Sequence, residues 1–314
     1  MAEPEISVVM PTGGRRDLRR PLDALARALA AQPGEVVVAI DAAAPPEAAA
    51  AIERDVAARG HRSVRATVPG ASATRNAGWR ATSGALLLFV DDDVLLDPPA
   101  LGAHVDAHRD GDPALATIGR LRWPPWRRTT PFERWVDDAL QFGFHEIAAD
   151  GRTGWWHLFT CDCAIRRAPL EAIGGLDEQR FPFGYEDLDL GLRLDREVGG
   201  LRVRLLPDGG AIHDTRMTLT EWRRRILRIA RAERSWQQAH PDVATVLGPR
   251  FERVGRDPTP RSGPLAGRLA RWLPEATPAA GPWLHERARV WWEHDLAARF
   301  RAEAARLAAE EGAP

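Results

Sequence analysis

Lysine is absent from this 314-residue sequence: all 43 basic side chains are arginine. With so much alanine and proline beside it, that bias reads as GC-rich coding, so arginine abundance alone signals no function. Cysteine is almost as scarce, with only Cys161 and Cys163 in Thr-Cys-Asp-Cys-Ala. Two thiols cannot build a disulfide framework, and a C-x-C pair alternating along a strand points both to one face, as two small buried residues would. No apolar run approaches the ~20 residues of a membrane helix; the longest spans residues 85–90. Residues 1–6 are acidic and short and do not resemble a signal peptide, so a reducing, cytoplasmic location is expected. The 43 basic and 44 acidic residues leave a net charge of −1, which excludes a global field for nucleic acid or membrane.

What the chain does have is a 44% hydrophobic complement in alternating periodicities. Apolar runs at residues 6–10, 36–40, 64–68, 85–90 and 114–118 read as buried strands. Between them lie helical patterns such as Leu18, Leu22, Leu25 and Leu29, an alanine-rich stretch ending near Arg59, and residues 72–82 and 98–109. Strands alternating with helices of this length predict βαβ units in an open sheet covered on both faces. Further strands are expected over 158–165 and 201–206, with a helix over 187–198. Thr218-x-x-Glu221 forms a capping box that opens a long basic helix to about residue 238. Residues 256–282 read as a linker, and the last stretch as an amphipathic helix with Trp292, Leu296, Phe300 and Leu307 on one stripe.

Open sheets bind ligands beyond the carboxyl ends of their strands. Polar residues gather there at Pro11-Thr12-Gly13, at Asp41 and at Asp91-Asp92-Asp93. Three carboxylates directly after a buried strand repel one another unless a cation neutralises them, and oxygen ligands suit Mg²⁺ or Mn²⁺. One Asp would suffice for an ordinary helix cap. A second cluster, Glu186-Asp187, opens the 187–198 helix after Gly174-Gly175-Leu176-Asp177. A helix N-terminus favours ionised carboxylates, which suits a general base, but plain N-capping with a surface Asp189–Arg193 pair reads equally well. His213, just past a strand, is either a satisfied polar residue or a metal ligand.

Taken together, these residues resemble the inverting family-2 glycosyltransferases of the GT-A fold over residues 5–240. Residues 6–12 (I-S-V-V-M-P-T) are similar to the family's opening strand, and residues 36–41 to its second, ending in Asp. Ala73-Thr74-Arg75-Asn76-Ala77-Gly78 resembles its A-R-N-x-G helix, residues 89–93 its D-x-D metal site, and the two later clusters its G-G-F-D-E and E-D-x-D-x-x-x-R segments. The resemblance implies a GT-A, Rossmann-like α/β fold with a doubly wound mixed sheet and a helical C-terminal extension. The expected catalytic domain is 1–240, with a nucleotide-binding half at 1–120 and an acceptor half at 121–240. Residues 241–314 are the expected Pro-rich linker and helical extension.

The implied activity is transfer of a sugar from a nucleotide diphosphate donor, UDP-type first, to a hydroxyl acceptor on a small molecule or glycan. Pro11, Thr12, Gly13, Asp41 and Arg75 would hold the nucleotide, with Asp91 and Asp92 on ribose and donor sugar. Asp93 and His213 would hold Mn²⁺ or Mg²⁺, Asp187 would be the base, and Glu186 would orient acceptor or donor. An Asp of ordinary pKa, about 4, suffices for a base at neutral pH. The loop after Asp41 departs from the family's D-D-G-S, and the Q-x-x-R-W signature of membrane polysaccharide synthases is missing.

Trp123, Trp126, Trp135, Trp155 and Trp156 suit either sugar stacking or core, with Trp155 and Trp156 the acceptor candidates. The C-terminal helix is expected to pack on the catalytic domain or on a second copy of the chain. A sugar-1-phosphate nucleotidyltransferase is the alternative, since Thr12-Gly13-Gly14-Arg15-Arg16 resembles its loop; those enzymes also use a lysine. An inactive carbohydrate-binding scaffold would not need intact acidic clusters at both positions.

Overall fold

The computed structural model describes residues 5–245, 247–254, 263–270, 272 and 280–311. The expected linker at 256–282 lies mostly outside them. By its internal packing the chain divides into two compact units, one of residues 1–125 with 144–215, the other of 126–143 with 216–314. The expected boundary at 240 therefore falls inside the second unit.

The first unit carries the sheet. Its strands are β1 (Ile6–Thr12), β2 (Glu35–Ile40), β3 (Arg62–Arg65), β4 (Leu86–Val90), β5 (Val94–Leu96), β6 (Leu115–Arg122), β7 (Arg152–Thr153), β8 (Asp162–Arg166) and β9 (Arg202–His213). They lie in the order β3-β2-β1-β4-β8-β6-β9-β5, with β7 on β9. The β3-β2-β1-β4 half is parallel, while β8 runs antiparallel to β4 and β6. The mixed α/β sheet expected from the sequence is thus present. Helices α1 (Arg19–Ala31), α2 (Pro46–Ala58), α3 (Ala71–Arg80) and α4 (Ala100–Ala107) supply the crossovers.

Strand order reverses between β1 and β4, and ligands of open sheets bind at such a point. Pairing of β1 with β4 stops at Val9–Phe89, whereas pairing with β2 continues to Thr12–Ile40. Pro11 lacks an N–H, so it suits a position past the end of one ladder. Thr12 and the carboxylates after β4 thus meet at this reversal point, where Thr12 bonds to Asp92.

Several boundaries differ from the sequence reading. β3 ends at Arg65 and β8 starts only at Asp162, so Cys161 precedes the strand and is partly exposed, while Cys163 is buried; both thiols are free. β9 runs through Pro207-Asp208-Gly209-Gly210, which reads as a turn, and β6 takes up the irregularity as a register shift between Gly119 and Leu121. At Gly119 a Cβ would lie 2.0 Å from both Gly209 O and Asp162 Oδ2, so only glycine admits this approach.

The second unit is helical: α5 (Pro131–Val136), then, after the sheet unit's α6 (Arg167–Ala172) and α7 (Glu186–Val198), α8 (Leu219–Ala239), α9 (Leu247–Val254), α10 (Gly263–Leu269) and α11 (Gly281–Glu311). The α8 capping box forms as expected, and a second one, Thr130 with Glu133, starts α5. Trp292, Leu296 and Phe300 of α11 are buried, while Trp272 and Trp283 are exposed. Phe132 meets Trp292 edge-on, and Phe251 packs on Phe300. Arg223 and Arg231 of α8 pair with Asp295 and Glu303 of α11. The α11 stripe therefore packs against α5 and α9 of its own unit, joined to α8 by ion pairs. No helix among the described residues is long and apolar enough to cross a membrane.

Candidate active site

Three short runs at strand or helix ends meet in the first unit. At the end of β1, Thr12 Oγ1 donates to Asp92 Oδ2 at 2.7 Å and accepts from the Gly14 N–H at 3.2 Å. Pro11 and Gly13 flank it, Gly13 being exposed with open space around it.

Asp41, just past β2, is committed within the protein. One carboxylate oxygen accepts from the Ala43 N–H at 2.7 Å, the other from the Gly70 N–H at 2.8 Å and Thr74 Oγ1 at 3.0 Å. It ties the β2 loop to the start of α3.

Helix α3 explains why its motif needs Arg, Asn and Gly in that spacing. Gly78 faces the sheet, where a Cβ would lie 2.4 Å from Val9 Cγ1. Asn76 points to the loop after α6: its amide donates to Leu176 O at 2.8 Å, and its oxygen accepts from the Leu176 N–H at 3.0 Å. Gly175 sits at φ +85° with room for no side chain, since its Cβ would be 2.5 Å from Asn76 Oδ1.

Arg75 is turned toward Asp91 and Glu186 and is only 5% exposed. Its Nη2 donates to Asp91 Oδ1 at 2.7 Å, and Nη1 lies 3.7 Å from Glu186 Oε1. Burial opposes its charge, but Asp91, Asp187 and Glu186 outweigh that and hold the guanidinium protonated above its ordinary range. Among the described residues the buried Nε and Nη1 have no hydrogen-bond partner, Nη1 meeting Glu186 only at 3.7 Å, so their N–H groups can serve a ligand.

The three carboxylates after β4 differ in environment. Burial raises Asp91, with Arg75 opposing. Burial raises Asp92 to about 6, against the Thr12 hydrogen bond and with the charges of Asp93 and Asp91 adding to the rise. At Asp93 burial is overcome by His213, Arg16 and the Thr215 hydroxyl, which bring it down to about 2. Asp93 Oδ2 lies 3.6 Å from His213 Nε2 and 2.9 Å from Arg16 Nη2. His213 ends β9 opposite Val94, and Trp123 stacks on its ring at 5.9 Å and 25°.

Among the described residues no group of three or more His, Cys, Asp or Glu could by itself hold a metal ion. The chain offers two close donors, Asp93 and His213, one carboxylate and one imidazole. That set fits an ion that completes its sphere with phosphate oxygens and water, as Mg²⁺ and Mn²⁺ do.

At the other end, Glu186 and Asp187 open α7. The residue before them, Tyr185, has φ +60°, the sole positive φ of a non-glycine among the described residues. Such a backbone costs of order 1–3 kcal/mol and marks a position fixed by its surroundings. Thr160 Oγ1 donates to Asp187 Oδ1 at 2.5 Å. Burial, then the charge of Glu186, pushes the Asp187 carboxyl up to about 7 despite Arg75 and Thr160. The ordinary pKa expected from the sequence is corrected here. Asp189, expected on the surface, is buried and bonded to Arg193 at 2.8 Å; it is a structural pair.

The two candidate acceptor tryptophans part company. Trp155 packs against the core that includes Leu158 and Leu190, while Trp156 is half exposed, with the rings edge-on at 5.9 Å. Arg16, Thr160, Tyr185 and Thr215 join the site unforeseen, and Trp123, expected on sugar or in the core, stacks on His213. Only Arg16, following the Gly13-Gly14 turn, carries a local signal.

The model of glycosyl transferase family 2 matches residues 7–174, more than half of the chain. No curated protein sequence matches. Among solved structures, the mannosyltransferase PcManGT from Pyrobaculum calidifontis, in complex with GDP-Man and Mn²⁺, is similar at TM-score 0.54 and 19% identity, covering 99% of this chain and 80% of that one. GalNAc-T7 with UDP, GalNAc and Mn²⁺ is similar at TM-score 0.51 and 14% identity, over 68% of this chain and 44% of that one. These likenesses are of fold.

Proposed function

The chain belongs to glycosyl transferase family 2 and is a glycosyltransferase, and on that footing we propose that it is a metal-dependent inverting enzyme with Asp187 as its base. One observation carries the reading: Arg75 lies between Asp91 at 2.7 Å and Glu186 at 3.7 Å, so the β4 carboxylates and the start of α7 face one site. The donor is a nucleoside diphosphate sugar, UDP-type first; among similar structures GalNAc-T7 holds UDP and PcManGT holds GDP-Man, so a GDP-type donor is the second choice.

Thr12 and the loop organised by Asp41 receive the nucleoside, with Pro11 and Gly13 leaving backbone room. Arg75 offers Nε and Nη1 to the donor, and Asp91 and Asp92 face its ribose and sugar. Asp93 and His213 would hold Mn²⁺ or Mg²⁺, which when bound would supply positive charge beside the diphosphate leaving group. Asp187 accepts the acceptor's hydroxyl proton as its oxygen attacks the anomeric carbon from the face opposite the leaving group. One displacement inverts the anomeric configuration. Thr160 aims the Asp187 carboxylate, and Glu186 orients the sugar. The half-exposed Trp156 is the stacking surface for the acceptor.

Thermal shift against UDP, GDP and other nucleoside diphosphates, with and without Mn²⁺, identifies the donor base. Transfer from the matching nucleotide sugar is then followed by NMR of the product anomer. A product that retains the donor's configuration would refute inversion and release Asp187 from its role.

A further inference from the structure

Two arginines reach the acidic crevice, and they are built differently. Arg75 is fixed, its side chain 7% exposed. The Arg16 side chain is 42% exposed, on a loop turned by Gly14 at φ +70°. From that rim Arg16 Nη2 reaches Asp93 Oδ2 at 2.9 Å and Thr215 Oγ1 at 2.9 Å, and Nε lies 3.6 Å from Asp92 Oδ1. The oxygen it holds, Asp93 Oδ2, is the one 3.6 Å from His213 Nε2.

We propose that Arg16 is a displaceable counter-ion of the metal site, which competes with the divalent cation for Asp93 and passes to the donor's diphosphate when donor and metal bind together. The inference rests on the metal reading above and goes beyond it by giving Arg16 a part in the coupling between metal and donor. A monocation and a divalent ion on the same carboxylate oxygen repel each other, so Arg16 must leave when the ion arrives. In water it would gain little. Beside a diphosphate its planar fork finds a bidentate anionic partner, stronger than a neutral hydrogen bond. Metal alone is therefore bound weakly, and metal with nucleotide tightly, which is a positive coupling between the two ligands. Neutralising Asp92 and Asp93 in the free enzyme also spares the fold their mutual repulsion.

The test is Mn²⁺ binding, read from the electron paramagnetic resonance signal of free Mn²⁺, for the wild type, Arg16→Gln and Arg16→Lys, each alone and with UDP or GDP. A partly solvated charge pair at this range predicts that Arg16→Gln binds Mn²⁺ alone about fivefold to tenfold more tightly. Arg16→Lys keeps the charge and should stay near the wild type. With nucleotide, Arg16→Gln should keep the coupling that shared phosphate oxygens give and lose the part, about fivefold to tenfold, that Arg16 adds. If Arg16→Gln binds Mn²⁺ alone no more tightly while the wild type still forms the ternary complex, the Arg16 proposal is overturned and the metal reading survives. A wild type that takes up no Mn²⁺ even with nucleotide overturns both.

Discussion

Thr160 Oγ1 donates a 2.5 Å hydrogen bond to Asp187 Oδ1, from the segment before β8 to the start of α7. It favours the ionised carboxylate, against burial and the Glu186 charge, which raise the group to about 7. As the proposed base, Asp187 must be ionised to act, so kcat/KM should climb through pH 7 and level off above it. Thr160→Val removes a stabiliser of the charged form and should move this acid limb to higher pH. Asp187→Asn should bind donor and metal normally yet lose about 10²–10⁴-fold in transfer. Retained turnover in that variant would shift the role to Glu186.

The same carboxylate predicts a stability trade. Its folded pKa is raised, so whatever it contributes is intact below the unfolded value near 4 and is lost as pH rises through about 7. Ionised and desolvated Asp187 should therefore weaken the fold at pH 8. Asp187→Asn should melt above the wild type at pH 8, and the gap should close below pH 4. Equal melting points at both pH values would show that the group is better solvated than its surroundings suggest.

Asp93 and His213 give the metal prediction. Excess chelator should abolish transfer, with Mn²⁺ or Mg²⁺ restoring it, and Asp93→Asn or His213→Ala should remove metal binding measured with nucleotide present. Trp123, stacked 5.9 Å from the His213 ring, positions it. Trp123→Ala should weaken Mn²⁺ binding by about 10–100-fold, the range seen for groups that orient a ligand. Full activity in chelator would remove the ion from the mechanism.

Much of this site was readable along the chain because parallel sheets are written as apolar runs that end in polar residues. Pro11-Thr12, Asp41, Asp91-Asp92-Asp93 and the α3 motif all sit at such ends. What stayed hidden depends on partners distant in sequence. β5 is three residues long, and β9 crosses a Pro-Asp-Gly-Gly run whose local chemistry says turn. Thr160 and Thr215 join the candidate site only through neighbours 27 and 199 residues away, Asp187 and Arg16. The raised Asp187 carboxyl follows from burial, which no local pattern reports. The Thr130–Glu133 capping box, by contrast, is a local pattern that the sequence carries among its tryptophans.

Asp41 distinguishes a nucleoside contact from an organiser of the loop. It accepts from Ala43, Gly70 and Thr74. Asp41→Ala would strand the Ala43 and Gly70 N–H groups, while the Thr74 hydroxyl keeps Gly70 O at 2.7 Å, and a part-buried donor left unpaired costs about 1–3 kcal/mol. The variant should melt several degrees lower even without ligand, besides binding nucleotide more weakly. An unchanged melting point with weakened binding would make Asp41 a direct ligand of the nucleoside alone.

Tyr185 holds the last prediction, because its backbone and side chain can be separated. At φ +60° any residue with a Cβ is strained, and glycine is not. Tyr185→Ala keeps the strain and loses the ring, so it should melt lower than the wild type. Tyr185→Gly also loses the ring but releases about 1 kcal/mol or more of backbone strain, partly offset by the greater freedom of glycine in the unfolded chain. It should therefore melt above Tyr185→Ala. Activity should follow the opposite logic. The strained residue precedes Glu186 and Asp187 directly, so a relaxed backbone loosens the start of α7 and the aim of the base. Tyr185→Gly should have the lower kcat of the two, with the donor affinity of both alike. If instead the alanine and glycine variants melt together and turn over equally, the left-handed backbone stores no strain that matters to the site, and only the Tyr185 ring has a role there.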